Sequence, residues 1–341
     1  MKKYVVITTI NKPTEGISLF FDTDFSVVIV GDEKTPSDYH DLSSVFFLDV
    51  EMQKDLFPEL SNIIPFNHYC RKNLGYLYAI SQGADLILDT DDDNIFDMDS
   101  LKQIDSEVEG VEISSNRKWV NVYSLFSEAT VWPRGLPLDE IHSDKITIGK
   151  KVNQFCPIQQ YLVDDDPDVD AIFRLVFNSQ SIVFNRKHED VILTKGNWSP
   201  FNSQATIFFK EAYPLLFLPT TIPSRLTDIW RSFVAQATLW KHGYELAFRK
   251  PIARQDRNFH NLINDFKEEF TGFIRNNDLI ETLEESGDKE FHSGTVSVAN
   301  TASHYLSELV RKGFLERKED QTSKLWHKAL NEAISESSVV D

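Results

Sequence analysis

Short apolar runs alternate with turns through the first hundred residues. Tyr4 to Ile10 is a β-rich run that ends at Asn-Lys-Pro, and Phe25 to Val30 and Val45 to Leu48 are two more strand patterns. Asn67 to Gln82 instead places apolar residues at helical spacing before the strand pattern Asp85 to Leu88. This alternation predicts an α/β fold with a Rossmann-like, mostly parallel sheet flanked by helices, whose ligand lies at the carboxyl ends of the strands.

The pattern is less regular beyond Ser100, where we predict short strands at Trp119 to Tyr123, Ala171 to Val176 and Thr206 to Phe209. Leu226 to His242 has apolar residues at helical spacing and is predicted to be a helix. From Asn264 to Ser335 the chain is charged and helical in pattern. We expect this last segment to form a helical C-terminal extension that packs against the sheet.

Composition is typical of a globular protein and limits the classes of ligand that the chain can bind. The 341 residues are 41% hydrophobic and 26% charged, with a formal net charge of −18. That charge argues against general binding to nucleic acid or to anionic membranes. Cys70 and Cys156 lack the spacing of a disulfide framework or zinc site. The N-terminal apolar run is too short for a transmembrane anchor and has no evident signal-peptide cleavage site, so we expect a cytoplasmic protein.

Four carboxylates crowd into five positions directly after the apolar run Leu86-Ile87-Leu88, in the segment Asp-Thr-Asp-Asp-Asp-Asn. Such a cluster at the end of a buried strand favours a divalent cation, since the hard oxygens of carboxylates and phosphates suit Mg²⁺ and Mn²⁺. The sequence therefore predicts a site for a metal and a diphosphate. The alternative is a solvated acidic turn that only ends the strand.

Within this cluster, Asp91 and Asp93 are the predicted metal ligands, because alternate positions beyond a strand end can point at one place. Asp92 and Asp89 are the alternative candidates for metal ligands. Asp89 can instead bind the ribose or orient a neighbouring side chain.

Other strand ends and the following helix supply predicted donor-binding residues. The strand ends contribute Thr8, Thr9, Asn11 and Asp32, each of which can also be a simple turn residue. The start of the helix contributes Arg71, Lys72 and Asn73, which we expect to reach the diphosphate; an exposed basic turn is the alternative.

The sequence resembles the STELLO-like glycosyltransferase family in five ordered blocks. These are Arg71 to Ile80 leading into Leu88 to Asp93, Trp132 to Leu138, Pro167 to Asp170, Phe201 to Thr206, and Thr227 to Trp240. The resemblance implies a GT-A type fold in which Mn²⁺ or Mg²⁺ on a D-x-D motif holds a nucleotide-diphosphate sugar. It implies a UDP- or GDP-linked donor and a glycan or other hydroxyl acceptor. Plant members of the family carry an N-terminal membrane anchor, which we do not predict for this chain. We therefore do not extend their Golgi location to it.

On this basis we divide the chain into three parts. Residues 1–100 are the nucleotide-sugar-binding half of a GT-A domain, residues 101–262 are its acceptor-side half, and residues 263–341 are the helical extension.

Transfer with inversion needs a carboxylate that takes the proton of the acceptor hydroxyl. We predict Asp228 as that base, because Thr-Asp-Ile-Trp-Arg looks like the placement of the base aspartate in inverting GT-A enzymes. The alternative is that Asp228 is an N-terminal helix cap. Arg231, one turn on, either binds the leaving phosphates or pairs with Asp228.

Four further residues are donor or metal candidates. Arg134 is predicted to fix hydroxyls or phosphates, while Arg254 and Arg257 are predicted to close over the diphosphate. His260 is a possible late metal ligand of the kind that GT-A enzymes recruit, or a structural histidine. The competing functional hypothesis is a non-catalytic glycosyltransferase-like protein that binds nucleotides as a scaffold. A D-x-D phosphohydrolase is disfavoured, because Asp91 is followed by two more aspartates.

Overall fold

A computed structural model describes residues 1–142, 146–177, 180–258, 260–288 and 297–340. Its strands form one continuous sheet that runs through both halves of the chain. The strands are β1 (Lys3–Thr8), β2 (Phe25–Val30), β3 (Val45–Leu48), β4 (Leu86–Thr90), β5 (Asn94–Phe96), β6 (Glu107–Ser115), β7 (Ile146–Phe155), β8 (Ile158–Asp164), β9 (Asp190–Leu193), β10 (Ala205–Phe209) and β11 (Leu246–Gln255).

The strand order is β3-β2-β1-β4-β10-β8-β11-β9-β6-β7, with β5 paired to β11. The first four strands are all parallel, as predicted. Beyond β4 the sheet is mixed, because β10 runs antiparallel to both of its neighbours. The α/β class is therefore confirmed, and the mostly parallel sheet is corrected to a parallel half joined to a mixed half.

Helices cover both faces of the sheet. They are α1 (Glu15–Ser18), α2 (Val50–Leu56), α3 (Pro58–Ile63), α4 (Lys72–Ser81), α5 (Met98–Leu101), α6 (Tyr123–Phe126), α7 (Ala171–Phe177), α8 (Ser224–Lys241), α9 (Leu262–Asp288), α10 (Val298–Arg311) and α11 (Lys318–Val340). The predicted helical extension is confirmed by α9 to α11, although residues 289–296 of it lie outside the described residues.

Two of the predicted strands are wrong. Ala171 to Val176 belongs to α7, whose end has exposed leucine and valine side chains that a buried strand would not leave in water. Trp119 makes only an isolated bridge to Trp198, and the chain turns into α6 at Tyr123. Both segments are short apolar runs, for which sequence periodicity does not separate helix from strand.

The parallel half is buried on both faces. Val5 and Ile7 of β1 lie in the core on one side, whereas Val6 lies in the core on the other side. Helix α4 packs against this second face so closely that a Cβ on Gly75 would lie 2.3 Å from Val30 Cγ2. The glycine therefore sets the depth of α4 against the sheet, and with it the position of the segment that leads into α4.

None of the helices in the described ranges is both long enough and apolar enough to cross a lipid bilayer.

Candidate active site

A pocket of about 540 Å³ opens at the carboxyl ends of β1, β2 and β4. Parallel strands bring their carboxyl ends to one edge of the sheet, so the residues after them converge there. Of the residues named from the sequence, eleven line the pocket, namely Thr8, Thr9, Asn11, Asp32, Asp91, Asp92, Asp93, Arg134, Asp228, Arg257 and His260.

Asp92 organises the acidic turn after β4. Its Oδ2 accepts hydrogen bonds from the Thr9 hydroxyl and from the Asn11 amide at 2.9 Å, and its Oδ1 accepts one from the Asn258 amide at 3.2 Å. Both oxygens of the carboxylate are occupied. Asp92 therefore ties the end of β1 to the segment after β11 and shapes the turn.

Asp93 is held by neutral donors. Its Oδ1 accepts a hydrogen bond from the Gln255 amide at 2.9 Å, and its Oδ2 accepts two from Asn258 at 3.3 Å. Burial and repulsion from Asp92 raise the pKa of this carboxyl group. Because no cationic side chain pairs with Asp93 within the described residues, part of its charge is uncompensated.

Asp91 has a partly exposed carboxylate with one oxygen left unbound by the described residues. Its Oδ1 accepts a hydrogen bond from the Tyr69 hydroxyl at 2.6 Å, while Oδ2 has no protein partner in the described part of the chain. Burial raises the pKa of Asp91 to about 7; repulsion from Asp93 adds to the effect and Lys72, 3.8 Å away, opposes it. An ionised Asp91 is thus a destabilised charge that a cation would relieve.

Asp89 lies beneath the turn and outside the pocket. Its carboxylate is 2.6 Å from Lys72 Nζ and 2.9 Å from Arg231 Nη2, and it accepts a hydrogen bond from the Tyr76 hydroxyl at 2.8 Å. All four side chains are buried. Although burial acts to raise it, Lys72 and Arg231 hold the pKa of Asp89 below its ordinary value. Arg231 therefore pairs with Asp89 and not with Asp228.

The other side chains at the start of α4 also have protein partners. Arg71 is fully buried and donates to Gln53 at 2.8 Å and to the Ile64 carbonyl at 3.1 Å. Asn73 exchanges two hydrogen bonds with the backbone of Leu218, both at 2.8 Å. Like Lys72, they support the pocket from below and do not line it, because the helix turns this end toward the core. Arg254 is exposed on β11 and lies outside the pocket.

Arg134 joins two aspartates across the floor of the pocket. It binds Asp168 through Nε at 2.8 Å and Nη2 at 2.7 Å, and it binds Asp228 through Nη1 at 3.1 Å and Nη2 at 2.8 Å. Burial alone would raise the pKa of Asp168, but Arg134 holds it below its ordinary value. Asp228 is not a helix cap, because α8 begins at Ser224 with Pro223 in the N-cap position, and Asp228 is the fifth residue of the helix.

Arg257 and His260 lie where the chain passes from β11 to α9. Both face Asp265, with Arg257 Nη2 at 3.2 Å and His260 Nδ1 at 3.4 Å from its carboxylate. Burial lowers the pKa of Arg257 to about 10, and repulsion from Arg174 and Arg225 contributes. The predicted contact of His260 with a metal stays a prediction.

Sequence reasoning missed several residues that line the pocket, among them Lys34, Tyr69, Asp168, Gln204, Gln255, Asn258 and Glu268. Asp168 and Gln204 lie in two of the family-like blocks, and Tyr69 lies two residues before the first, so closer attention to the polar residues of the blocks would have found these three. Lys34, Asn258 and Glu268 have no local pattern of their own, because only the tertiary fold brings them to this edge.

The charge of the pocket limits what it can bind. Eight Asp and Glu residues line it against four Lys and Arg residues, a formal excess of four negative charges. A nucleoside diphosphate would meet repulsion there unless a cation accompanied it. Within the described ranges, no three His, Cys, Asp or Glu side chains form a ready-made metal cluster. A metal held by one or two carboxylates and by phosphate oxygens needs no such cluster, and this is how proteins often bind Mg²⁺.

An α/β sheet with an acidic turn at the carboxyl edge of its parallel strands, facing a ligand-sized pocket, defines a GT-A-like glycosyltransferase fold. Comparison with known proteins agrees with this class. A family model described as STELLO glycosyltransferases matches residues 225–338, a range that covers β11, α9 and α10 and nearly all of α8 and α11.

Two curated proteins of Arabidopsis thaliana are similar over a longer region. Probable glycosyltransferase STELLO2 is 31% identical over 278 residues, covering 75% of this chain and 36% of the relative. Probable glycosyltransferase STELLO1 is 31% identical over 275 residues, covering 74% of this chain and 35% of the relative. The chain belongs to the STELLO-like glycosyltransferase family. The match spans little more than a third of the length of these relatives.

Proposed function

We propose that this chain is a metal-dependent glycosyltransferase that moves a sugar from a nucleotide-diphosphate sugar to a hydroxyl acceptor. The observation that carries the proposal is the acidic turn, whose Asp91, Asp92 and Asp93 face the pocket at the carboxyl edge of the sheet. Family membership supports the reaction class, and the excess negative charge of the pocket supports the need for a cation. The donor is UDP- or GDP-linked in this proposal.

Asp91 is the proposed direct ligand of Mn²⁺ or Mg²⁺. It has an oxygen without a protein partner, and its raised pKa marks a charge that a cation would compensate. Asp93 accepts from the amide of Gln255 at the end of β11, and Asp92 accepts from the amide of Asn258 just beyond it, so both contribute through water or after a local rearrangement. When bound, the metal would neutralise the charge that develops on the departing diphosphate.

The chain's own residues would hold and orient the donor. Thr8, Asn11 and Asp32 form the part of the pocket wall nearest the ends of β1 and β2, where we place the nucleoside. Arg134 fixes the floor through its bonds to Asp168 and Asp228, on the side where we place the sugar. We propose transfer with inversion, in which a pocket carboxylate takes the proton of the acceptor hydroxyl. The sequence assigned that step to Asp228, and the assignment stays a prediction.

A binding panel tests the proposal. UDP, GDP, CDP and their common sugar conjugates are each added with Mn²⁺ or with EDTA, and thermal unfolding and calorimetry are recorded. A ligand present at 100 times its Kd stabilises the folded state by about 2.7 kcal/mol. We expect one nucleotide to raise the Tm with Mn²⁺ and not with EDTA. Absence of a metal-dependent response to every nucleotide would refute the proposal, while binding without turnover of any sugar conjugate would favour a non-catalytic scaffold.

A further inference from the structure

Eight carboxylates line the pocket, and seven of them are engaged by protein groups. The seven are Asp32, Asp91, Asp92, Asp93, Asp168, Asp228 and Asp265. The eighth, Glu268, makes no hydrogen bond or ion pair within the described residues. Asp91 also has one oxygen without a partner in the same part of the chain, but we assign that oxygen to the metal. Glu268 is therefore the pocket carboxylate that remains available to accept a proton or a hydrogen bond from a ligand.

The helix α9 directs Glu268 into the pocket. Asp265 and Glu268 are three residues apart, so they lie on one face of α9, and both line the pocket. The next residue, Glu269, faces elsewhere, since it accepts hydrogen bonds from Arg225 at 2.7 Å and from the Ala171 N–H at 2.8 Å. Glu268 is half-buried; burial lowers the pKa of the His68 imidazole in the same pocket, and the negative charge of Glu268 acts in the opposite direction.

Asp228 is poorly suited to the same task. Arg134 binds both of its oxygens, and the Ser203 N–H donates to Oδ2 at 3.2 Å. Charge-assisted bonds of this kind are roughly twice as strong as neutral ones, and here they take up both oxygens of the carboxylate. A proton taken by Asp228 would disrupt its bonds to the guanidinium and leave Arg134 with a weakened partner.

We propose that Glu268 is the general base of the transfer reaction, an inference that rests on the function proposed above. A lone pair of the acceptor oxygen forms the new bond to the anomeric carbon as the bond from that carbon to the phosphate oxygen breaks. The electron pair of the broken bond leaves with the nucleoside diphosphate. The acceptor proton passes to a carboxylate oxygen of Glu268 and from there to solvent. Arg134 and Asp228 then shape the floor of the pocket and do not move the proton.

Donor hydrolysis tests the inference without knowledge of the acceptor, because a base must also deprotonate an attacking water. The probes are UDP-glucose, UDP-galactose, UDP-arabinose and GDP-mannose with Mn²⁺, and the readout is release of the nucleoside diphosphate. We expect Glu268→Gln to lower kcat by about 10²–10⁴-fold, the usual contribution of a general base, with donor affinity unchanged. Glu281→Gln changes an exposed glutamate of the same helix outside the pocket and serves as the matched control.

Two further readouts separate a base from a structural residue. With Mn²⁺ and donor saturating, so that protonation of Asp91 does not limit binding, we expect the rate of wild-type protein to fall at acid pH and the rate of Glu268→Gln not to fall. Formate should restore part of the activity of Glu268→Ala. A wild-type rate in Glu268→Gln, or a lowered rate with the acid limb intact and no rescue, would overturn the inference while leaving the proposed function standing. Failure of the wild-type protein to release nucleotide from any of the sugars would overturn both.

Discussion

Replacing Asp91 with Asn should stabilise the protein without ligand and abolish its stabilisation by metal and nucleotide. The substitution keeps the shape of the side chain and an oxygen that accepts the hydrogen bond from Tyr69. It removes a charge whose pKa is raised from 3.8 to about 7, chiefly by burial. A raised pKa means that ionised Asp91 costs the folded state free energy, so the neutral amide should be better tolerated.

The size of this stabilisation follows from the raised pKa of Asp91 and from the exposed fraction of its side chain. A change from 3.8 to about 7 corresponds to an upper limit of about 4 kcal/mol at 1.36 kcal/mol per pKa unit. The side chain is 32% exposed, and solvent screening reduces this to about 1–2 kcal/mol. Unfolded Asp ionises near pH 4 and folded Asp91 only near pH 7, so the cost grows between these values and is complete above pH 7.

The assay is chemical denaturation at pH 5 and at pH 8, with and without Mn²⁺ and the nucleotide found by the binding panel. We expect Asp91→Asn to exceed wild type in unfolding free energy at pH 8, by less at pH 5, and to gain nothing from metal and nucleotide. Asp22→Asn, at an exposed turn position, is the control and should show neither effect. An Asp91→Asn protein that keeps the metal-dependent gain, or that is no more stable than wild type at pH 8, would refute the reasoning.

Three more substitutions test the surroundings of the pocket. Arg231→Met should lower the unfolding free energy by about 3 kcal/mol in urea titrations, because it removes a partner of the buried Asp89. Lys102→Met removes one partner of an exposed ion pair and should cost far less; equal losses would contradict the buried network. Asp228→Asn should keep the rate of nucleotide release within about tenfold of wild type and should keep the fall of that rate at acid pH. A general base contributes about 10²–10⁴-fold, so a loss of rate of about 10²-fold or more with intact donor binding would show that Asp228 is the base. Gly75→Ala should destabilise the fold by about 1–3 kcal/mol in thermal unfolding, because its Cβ has no space against β2, and an unchanged Tm would show that α4 can shift.

The sequence by itself determined the parallel half of the sheet and the place of the acidic turn. Strands buried on both faces read as continuous apolar runs, and β1, β2 and β4 appear as such runs with polar residues directly behind them. Those polar residues must meet at one edge once the strands are parallel. Local patterns alone therefore placed Thr8, Asp32 and Asp91 at this edge, and they also predicted the long helix α8.

Tertiary structure decided the pairing of charges and the mixed half of the sheet. Nothing local to Arg231 indicates that it binds Asp89, more than a hundred residues earlier, in preference to Asp228 one turn away. The start of α4 is polar in sequence but faces the core, so Arg71 and Asn73 have protein partners where a ligand was expected. Contacts between residues far apart in sequence leave no periodic signal. For the same reason, the carboxylate of Glu268, unpaired within the described ranges, can be recognised only in the folded structure, where the other carboxylates of the pocket have protein partners.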